Sequence, residues 1–148
     1  RYHSLIVVVV IILTSVSQLW PSRKLIADVP GERYVAYRAC AEQLAREIPP
    51  DATVAMIEIG ILSHFSGVRI LDLVGLVHPE IGPHLATGDV AWPVSEYKPE
   101  FVLLHDPPWR SIETGLVSAE WFDRTYTRQT VYEGPEPYKL VLYKRVTP

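Results

Sequence analysis

The hydrophobic pattern divides the chain into an apolar segment at its start and a longer region of mixed polarity. Leu5 to Leu13 is an unbroken run of Leu, Ile and Val residues, and hydroxyl side chains dilute the positions that follow. A helix from Leu5 to Trp20 would be about 24 Å long, somewhat shorter than the ~30 Å hydrocarbon core of a bilayer. We therefore expect residues 1–21 to form the end of a transmembrane helix and residues 22–148 to form a separate domain.

Two other interpretations of the apolar segment remain open. It could be a secretory signal peptide, because Arg1 and His3 precede the apolar run and Ser15–Ser17 supplies small residues for cleavage. It could also be a buried strand, which Val and Ile would suit, although a polar segment broken by Pro21 follows it. Because the first residue is arginine and not methionine, we favour a helix cut from a longer membrane protein. Basic residues at both ends leave its orientation open.

Helical and strand-like patterns alternate after the apolar segment. Apolar residues recur at helical spacing from Tyr34 to Ile48, and Pro49 ends the predicted helix. Three short, mostly apolar runs are typical of strands covered on both faces of a sheet: Thr53–Ile57, Arg69–Leu73 and Phe101–His105. Helices that alternate with such strands predict a mainly parallel sheet between two helical layers.

The remaining pattern predicts shorter elements and a C-terminal hairpin. We expect a turn or short helix at Gly60–Phe65, an irregular stretch with one helical turn at Gly75–Leu85, and a short helix at Ala119–Tyr126. Gln129–Tyr132 and Lys139–Tyr143 should pair as a hairpin around the proline-rich turn between them. The predicted fold is therefore a small three-layer α/β domain with a mixed sheet of about five strands.

Composition excludes several classes of function. A chain of 148 residues with 48% hydrophobic residues is typical of one compact folded domain. The net charge is -3 and no basic stripe occurs, which argues against a nucleic-acid partner. Cys40 is the single cysteine, so no disulfide can form within the chain. We predict neither a metal nor a cofactor, since four histidines lack compact ligand spacing: His64, His78, His84 and His105.

Acidic residues lie at the carboxyl ends of the first two predicted strands, each just before a glycine turn. Parallel strands end on one edge of a sheet, where open α/β folds bind ligands, so Glu58 and Asp72 should lie close together. Each carboxylate could instead cap the backbone amides of the following loop. His105 ends the third predicted strand and Asp106 follows it, and these two residues complete our set of candidate ligand-binding residues.

The aromatic residues and the short motifs say less about function than the residues at the strand ends do. Five aromatic side chains could stack on a sugar, although packing explains such residues more often: Trp92, Tyr97, Trp109, Trp121 and Tyr126. The chain contains neither a Gly-x-Ser-x-Gly elbow nor a Gly-x-Gly-x-x-Gly fingerprint. A hydrolase with a serine nucleophile and a dinucleotide-binding domain are therefore not predicted.

The segment around the two carboxylates resembles the C-terminal soluble domain of bacterial polytopic glycosyltransferases. These are membrane enzymes of the GT-C class, which use polyprenyl-phosphate sugars. The similarity spans roughly residues 30 to 105 and rests on short motifs: Leu44–Val54, Glu58-x-Gly60, Phe65-Ser66-Gly67, Arg69-x-x-Asp72-x-x-Gly75-Leu76 and Lys98–Leu104. The chain departs from the family at Glu58, where aspartate is usual, and at His64, where an aromatic residue is usual.

The resemblance implies a protein of the bacterial inner (plasma) membrane with this domain on the extracytoplasmic face. In that class the catalytic acidic residue lies in an early extracytoplasmic loop, so no catalytic residue is expected in this chain. The implied partners are membrane lipid, the rest of a polytopic protein and a glycan or lipid-linked acceptor. The domain would assist acceptor binding or brace the membrane helices.

Two other functions remain possible for the domain. It could be a membrane-anchored or secreted binding domain with no enzymatic role. It could also be a small α/β enzyme that uses Glu58, Asp72, His105 and Asp106. The coding sequence upstream of Arg1 would discriminate between these hypotheses, because only a polytopic transferase requires many preceding membrane spans.

Overall fold

A computed structural model of the chain describes residues 6–17, 31–109 and 111–146. The chain forms two compact units, which divide between Tyr34 and Val35. In the first unit, residues 6–17 form helix α1, so the alternative of a buried strand is wrong. The large apolar side chains of α1 are exposed, from 46% at Val9 to 63% at Leu13. The other residues of the predicted transmembrane segment, 1–5 and 18–21, lie outside the described ranges.

No helix in the part of the chain that the structure describes has both the length and the hydropathy needed to cross a membrane. Beyond α1, the helices are α2 (Glu32–Glu47), α3 (Ile61–Ser66), α4 (Gly82–Ala86), α5 (Trp92–Tyr97), α6 (Ile112–Val117) and α7 (Phe122–Thr125). A 3-10 turn, Pro79–Ile81, precedes α4.

The second unit is built on a mixed five-stranded sheet. Its strands are β1 (Thr53–Met56), β2 (Arg69–Asp72), β3 (Phe101–His105), β4 (Tyr126–Tyr132) and β5 (Leu140–Arg145). They lie in the order β2-β1-β3-β5-β4. Strand β1 pairs in parallel with β2 and β3, whereas β5 pairs antiparallel with β3 and β4. The predicted α/β fold, with a mixed sheet and a C-terminal hairpin, is confirmed.

Two apolar cores cover the sheet because successive side chains of a strand point to opposite faces. Phe101 and Leu103 of β3 join one core, and Val102 and Leu104 join the other. Helices α2 and α3 supply the first core with Tyr37, Cys40, Ala41, Leu44 and Leu62. The 3-10 turn and helices α5 to α7 supply the second with Ile81, Val94, Leu116 and Phe122. The sheet therefore lies between two helical layers.

The predicted helix at Ala119–Tyr126 is wrong over half of its length. Only Phe122–Thr125 is helical, and Tyr126 is the first residue of β4. The ring of Tyr126 stacks on that of Phe122 at a centroid distance of 5.3 Å, and its hydroxyl donates to the carbonyl of Pro99 at 2.8 Å. These contacts bury Tyr126 as the first residue of a strand. The sequence pattern interpreted the same buried position as the last residue of an amphipathic helix.

Two helices were not predicted. Helix α5 begins at Trp92 and has Pro93 in its first turn, where the missing N–H of proline costs nothing. Helix α6 lies in a segment for which the pattern indicated no element. The stretch Gly75–Leu85, expected to contain one helical turn, contains the 3-10 turn and most of α4.

Candidate functional site at the carboxyl edge of the sheet

Three of the candidate ligand-binding residues lie at or just after the carboxyl ends of the three parallel strands. Asp72 ends β2, His105 ends β3, and Glu58 follows β1 by two residues. Met56 of β1 lies opposite Asp72 in the parallel register. The candidates from the first two strands therefore lie at one edge, which is the usual ligand-binding edge of an open α/β sheet.

Asp72 caps the loop that follows β2. The residue has no exposed surface, and both carboxylate oxygens accept hydrogen bonds from the backbone. Oδ1 accepts from the N–H of Val74 at 2.8 Å, and Oδ2 accepts from the N–H of Val77 at 2.9 Å. The backbone N–H of Asp72 itself donates to Nδ1 of His78 at 3.3 Å. The carboxylate is thus directed at amides of its own loop.

The capped loop presents two apolar side chains to solvent. Leu76 is 73% exposed and Val77 is 61% exposed. The preceding Gly75 has a φ of +80°, and a Cβ there would lie 3.3 Å from the backbone nitrogen of Gly82. Only glycine enters this conformation without steric cost. The carboxylate cap and the glycine turn together define how the loop displays its apolar pair.

His105 lies in a buried network between Tyr37 of α2 and Glu113 of α6. Its Nδ1 is 2.9 Å from Oε1 of Glu113, and its Nε2 is 2.6 Å from the hydroxyl oxygen of Tyr37. Each of the three residues is at most 2% exposed. A carboxylate accepts hydrogen bonds, so Nδ1 donates to Glu113, and Nε2 shares a hydrogen bond with the hydroxyl of Tyr37.

Glu113 also orders the backbone that follows β3. Its carboxylate accepts hydrogen bonds from the backbone N–H of His105 at 3.3 Å and of Trp109 at 2.7 Å. The indole of Trp109 stacks on the imidazole at a centroid distance of 3.7 Å and an interplanar angle of 13°. Protein groups therefore occupy both ring nitrogens and one ring face of His105.

Asp106 belongs to a cluster of charged residues nearer the surface. Its Oδ2 lies 3.3 Å from Nη2 of Arg128 and 3.4 Å from Nζ of Lys139. Its backbone N–H donates to the carbonyl of Lys139 at 3.0 Å. Nζ of Lys139 also lies 3.9 Å from Oε1 of Glu133. Ion pairs this exposed contribute little to stability, so the cluster mainly neutralises the charge of Asp106.

Glu58 is half-buried in the turn between β1 and α3. Gly67 follows the last residue of helix α3, and its φ of +66° is the left-handed conformation common at helix C-termini. The N–H of Gly67 donates to the carbonyl of Ser63 at 3.1 Å, and the N–H of Val68 donates to Oγ of Ser66 at 3.4 Å. The Ser-Gly pair of the motif therefore makes the turn that leads the chain back into β2.

Residues 26–143 match one family model, described as Domain of unknown function (DUF8728). The chain belongs to the DUF8728 family. The chain matches no curated protein and no solved structure. The matched range contains the carboxyl edge of the sheet and the whole buried network, and it begins after α1.

Two members of the network in this DUF8728 domain were not predicted from the sequence. Tyr37 lies within the apolar stripe of α2, and Glu113 lies in a segment with no predicted element. One signal was available: His105 ends a strand that is otherwise wholly apolar and buried. A polar group at such a position requires a buried partner.

The five aromatic residues considered for sugar stacking lie in three places in the DUF8728 domain. Trp109 covers His105, while Trp92 contacts Tyr97 with ring centroids 5.7 Å apart. Trp121 and Tyr126 form a third group with centroids 6.5 Å apart. Among the described residues, no group of three or more His, Cys, Asp or Glu side chains could hold a metal ion.

Proposed function

We propose that this chain is the C-terminal part of a bacterial membrane glycosyltransferase that uses a polyprenyl-phosphate sugar. Its α/β domain would lie on the extracytoplasmic face of the inner membrane. There it assists acceptor binding or braces the membrane helices, and the catalytic centre lies elsewhere in the protein. The resemblance of the segment Glu58–Leu76 to that class motivates the proposal.

Helix α1 is the observation that carries the proposal. Its large side chains are all Ile, Val or Leu, and each is exposed. A soluble helix normally has one apolar stripe and one polar face, whereas a helix that is apolar all round requires an apolar environment. Lipid would supply that environment.

The carboxyl edge supports an accessory role without catalysis. A general acid or base must reach the substrate to within hydrogen-bonding distance. Asp72 directs both oxygens at backbone amides, and His105 has both nitrogens engaged in a buried network. These side chains stabilise the edge of the sheet and leave its loops to make contacts.

Labelling of an introduced cysteine tests the proposed side of the membrane. Glu133→Cys in the full-length protein should react with a membrane-impermeant maleimide in intact cells, because the Glu133 side chain is 78% exposed. Any cysteine of the full-length protein that lies outside residues 1–148 is first replaced by serine. Cys40 should stay unlabelled, since it is 4% exposed and burial raises the pKa of its thiol to about 12. Labelling that requires lysis would contradict the extracytoplasmic placement.

Photo-crosslinking tests whether the loop after β2 braces the rest of the protein. A benzoylphenylalanine that replaces Val77 in the full-length membrane protein should crosslink to peptides from outside residues 1–148. The reason is that an exposed apolar pair on an ordered loop is typical of a contact surface. Val35 is a matched control, since it is a valine of similar exposure, 57% against 61%. Equal crosslinking at both positions, or none at residue 77, would refute the bracing role.

A further inference from the structure

A cavity of about 450 Å³ opens at the edge of the sheet opposite His105 and Asp72. It lies where β4 begins and β5 ends, since Tyr126 pairs with Arg145 there. The backbone N–H of Arg145 donates to the carbonyl of Glu100, just before β3. The volume is within the range of about 300–1,000 Å³ that is typical of small-molecule sites.

Apolar side chains form much of the cavity wall. Val94 of α5 is buried, and Val146 and the half-buried indole of Trp121 complete this part of the lining. The indole also contacts the rings of Phe122 and Tyr126 at centroid distances of 6.1 and 6.5 Å. The aromatic cluster therefore holds Trp121 in place, and this wall suits an aliphatic or aromatic group.

The hydroxyl groups that line the cavity already donate their protons to the backbone. Ser95 and Thr125 donate to carbonyls three and four residues earlier, at 2.9 and 2.8 Å. Tyr126 donates to the carbonyl of Pro99 at 2.8 Å. Burial raises the pKa of Tyr126 to about 12, so its hydroxyl keeps its proton near neutral pH. These three groups can offer a ligand only their lone pairs.

Besides the indole N–H of Trp121, the side-chain donors that remain in the lining are two cations, Lys98 and Arg145. Neither forms a salt bridge with a carboxylate of the described residues. The nearby Glu100 directs Oε2 at the backbone N–H of Thr53, at 2.8 Å. Oxygen atoms that carry negative charge would form the strongest hydrogen bonds with these two cations.

We propose that this cavity binds an amphiphilic oxyanion, a small molecule with an anionic oxygen-bearing head and an apolar tail. The head contacts the ammonium of Lys98 and the guanidinium of Arg145. The tail lies against Val94, Trp121 and Val146. This site lies at the opposite edge from the residues considered above, and the proposal does not depend on the glycosyltransferase assignment.

Calorimetric titration with decanoate tests the proposal. The full chain is held in phosphatidylcholine nanodiscs, and empty nanodiscs supply the background. Decanoate should bind at least tenfold more tightly than decanol, which has the same tail and no charge. Arg145→Gln and Lys98→Gln should each weaken decanoate binding about five- to tenfold. Lys144→Gln, the same charge change at an exposed neighbour on β5, should leave the affinity unchanged.

Several results would overturn the site. Equal affinity for decanoate and decanol would indicate apolar partitioning only. An equal loss in Lys144→Gln would indicate a dependence on total charge, and absence of binding would refute the cavity as a site. If Arg145→Gln does not fold, Arg145→Lys keeps the charge and should retain most of the affinity. Nanodiscs that contain phosphatidylglycerol test whether the natural ligand is a membrane lipid or a free small molecule. If a lipid headgroup fills the cavity, decanoate should no longer bind in these nanodiscs.

Discussion

Replacement of Glu113 by alanine should lower the free energy of unfolding by about 3–5 kcal/mol, since each buried donor left without its acceptor costs about 1–3 kcal/mol. The carboxylate accepts hydrogen bonds from the ring of His105 and from the backbone N–H groups of His105 and Trp109. All of these donors would lose their acceptor in a site that is almost wholly buried. Urea unfolding of the chain, followed by tryptophan fluorescence, measures the change.

Two variants serve as controls for this substitution. Glu113→Gln keeps the shape and one acceptor oxygen, so it should cost about 1–3 kcal/mol, the penalty for a single unsatisfied buried group. Glu120→Ala removes an exposed glutamate shortly after α6 and should change stability by no more than about 0.5 kcal/mol. If Glu113→Ala unfolded at the same urea concentration as Glu120→Ala, the network would not stabilise the fold.

Replacement of Asp72 by alanine should destabilise the domain by about 2–4 kcal/mol. The change leaves the amides of Val74 and Val77 without the carboxylate that accepts their hydrogen bonds, and each unsatisfied buried donor costs about 1–3 kcal/mol. Asp72→Asn should cost less, about 1–2 kcal/mol, because its amide oxygen still accepts one bond while its NH₂ group faces the other donor. Thermal and urea unfolding of both variants measure these differences.

The same variants distinguish a loop cap from a ligand-binding carboxylate. If Asp72 binds an acceptor, Asp72→Asn should keep the stability of the wild type and raise the KM of the full-length enzyme for that acceptor. If Asp72 is a cap, activity should fall only in proportion to the loss of folded protein. Asp89→Ala is the matched control, since Asp89 is 56% exposed and its only described ion pair, with His84, is 3.9 Å long.

The elements that could be predicted from the sequence are those in which every residue has the same environment, for example complete burial. Strand β3 is paired on both sides and covered on both faces, and all five of its residues are buried. Its sequence is therefore almost entirely apolar, and its predicted bounds are those observed. Helices α4 to α7 contain only four to six residues each. Such helices are too short to repeat an apolar position over several turns, so their pattern is weak.

Of the candidate site, the sequence predicted only the residues that lie at the ends of strands. Asp72 and His105 were identified because each ends an apolar strand. Tyr37 is separated from His105 by 68 positions, and their contact depends on how α2 packs on the sheet. No local pattern contains that information. Asp106 follows His105 directly, and its carboxylate pairs with Arg128 and Lys139, away from the buried network.

During synthesis, β3 is complete well before its partner β5 exists. Strand β5 lies between β3 and β4, and its antiparallel pairing covers the side of β3 that β1 does not. Until Leu140–Arg145 has left the ribosome, an apolar strand exposes one row of backbone donors and acceptors, which is a template for aggregation. A nascent chain of this sequence would therefore depend on a chaperone, or on rapid translation of its last strands, to protect β3.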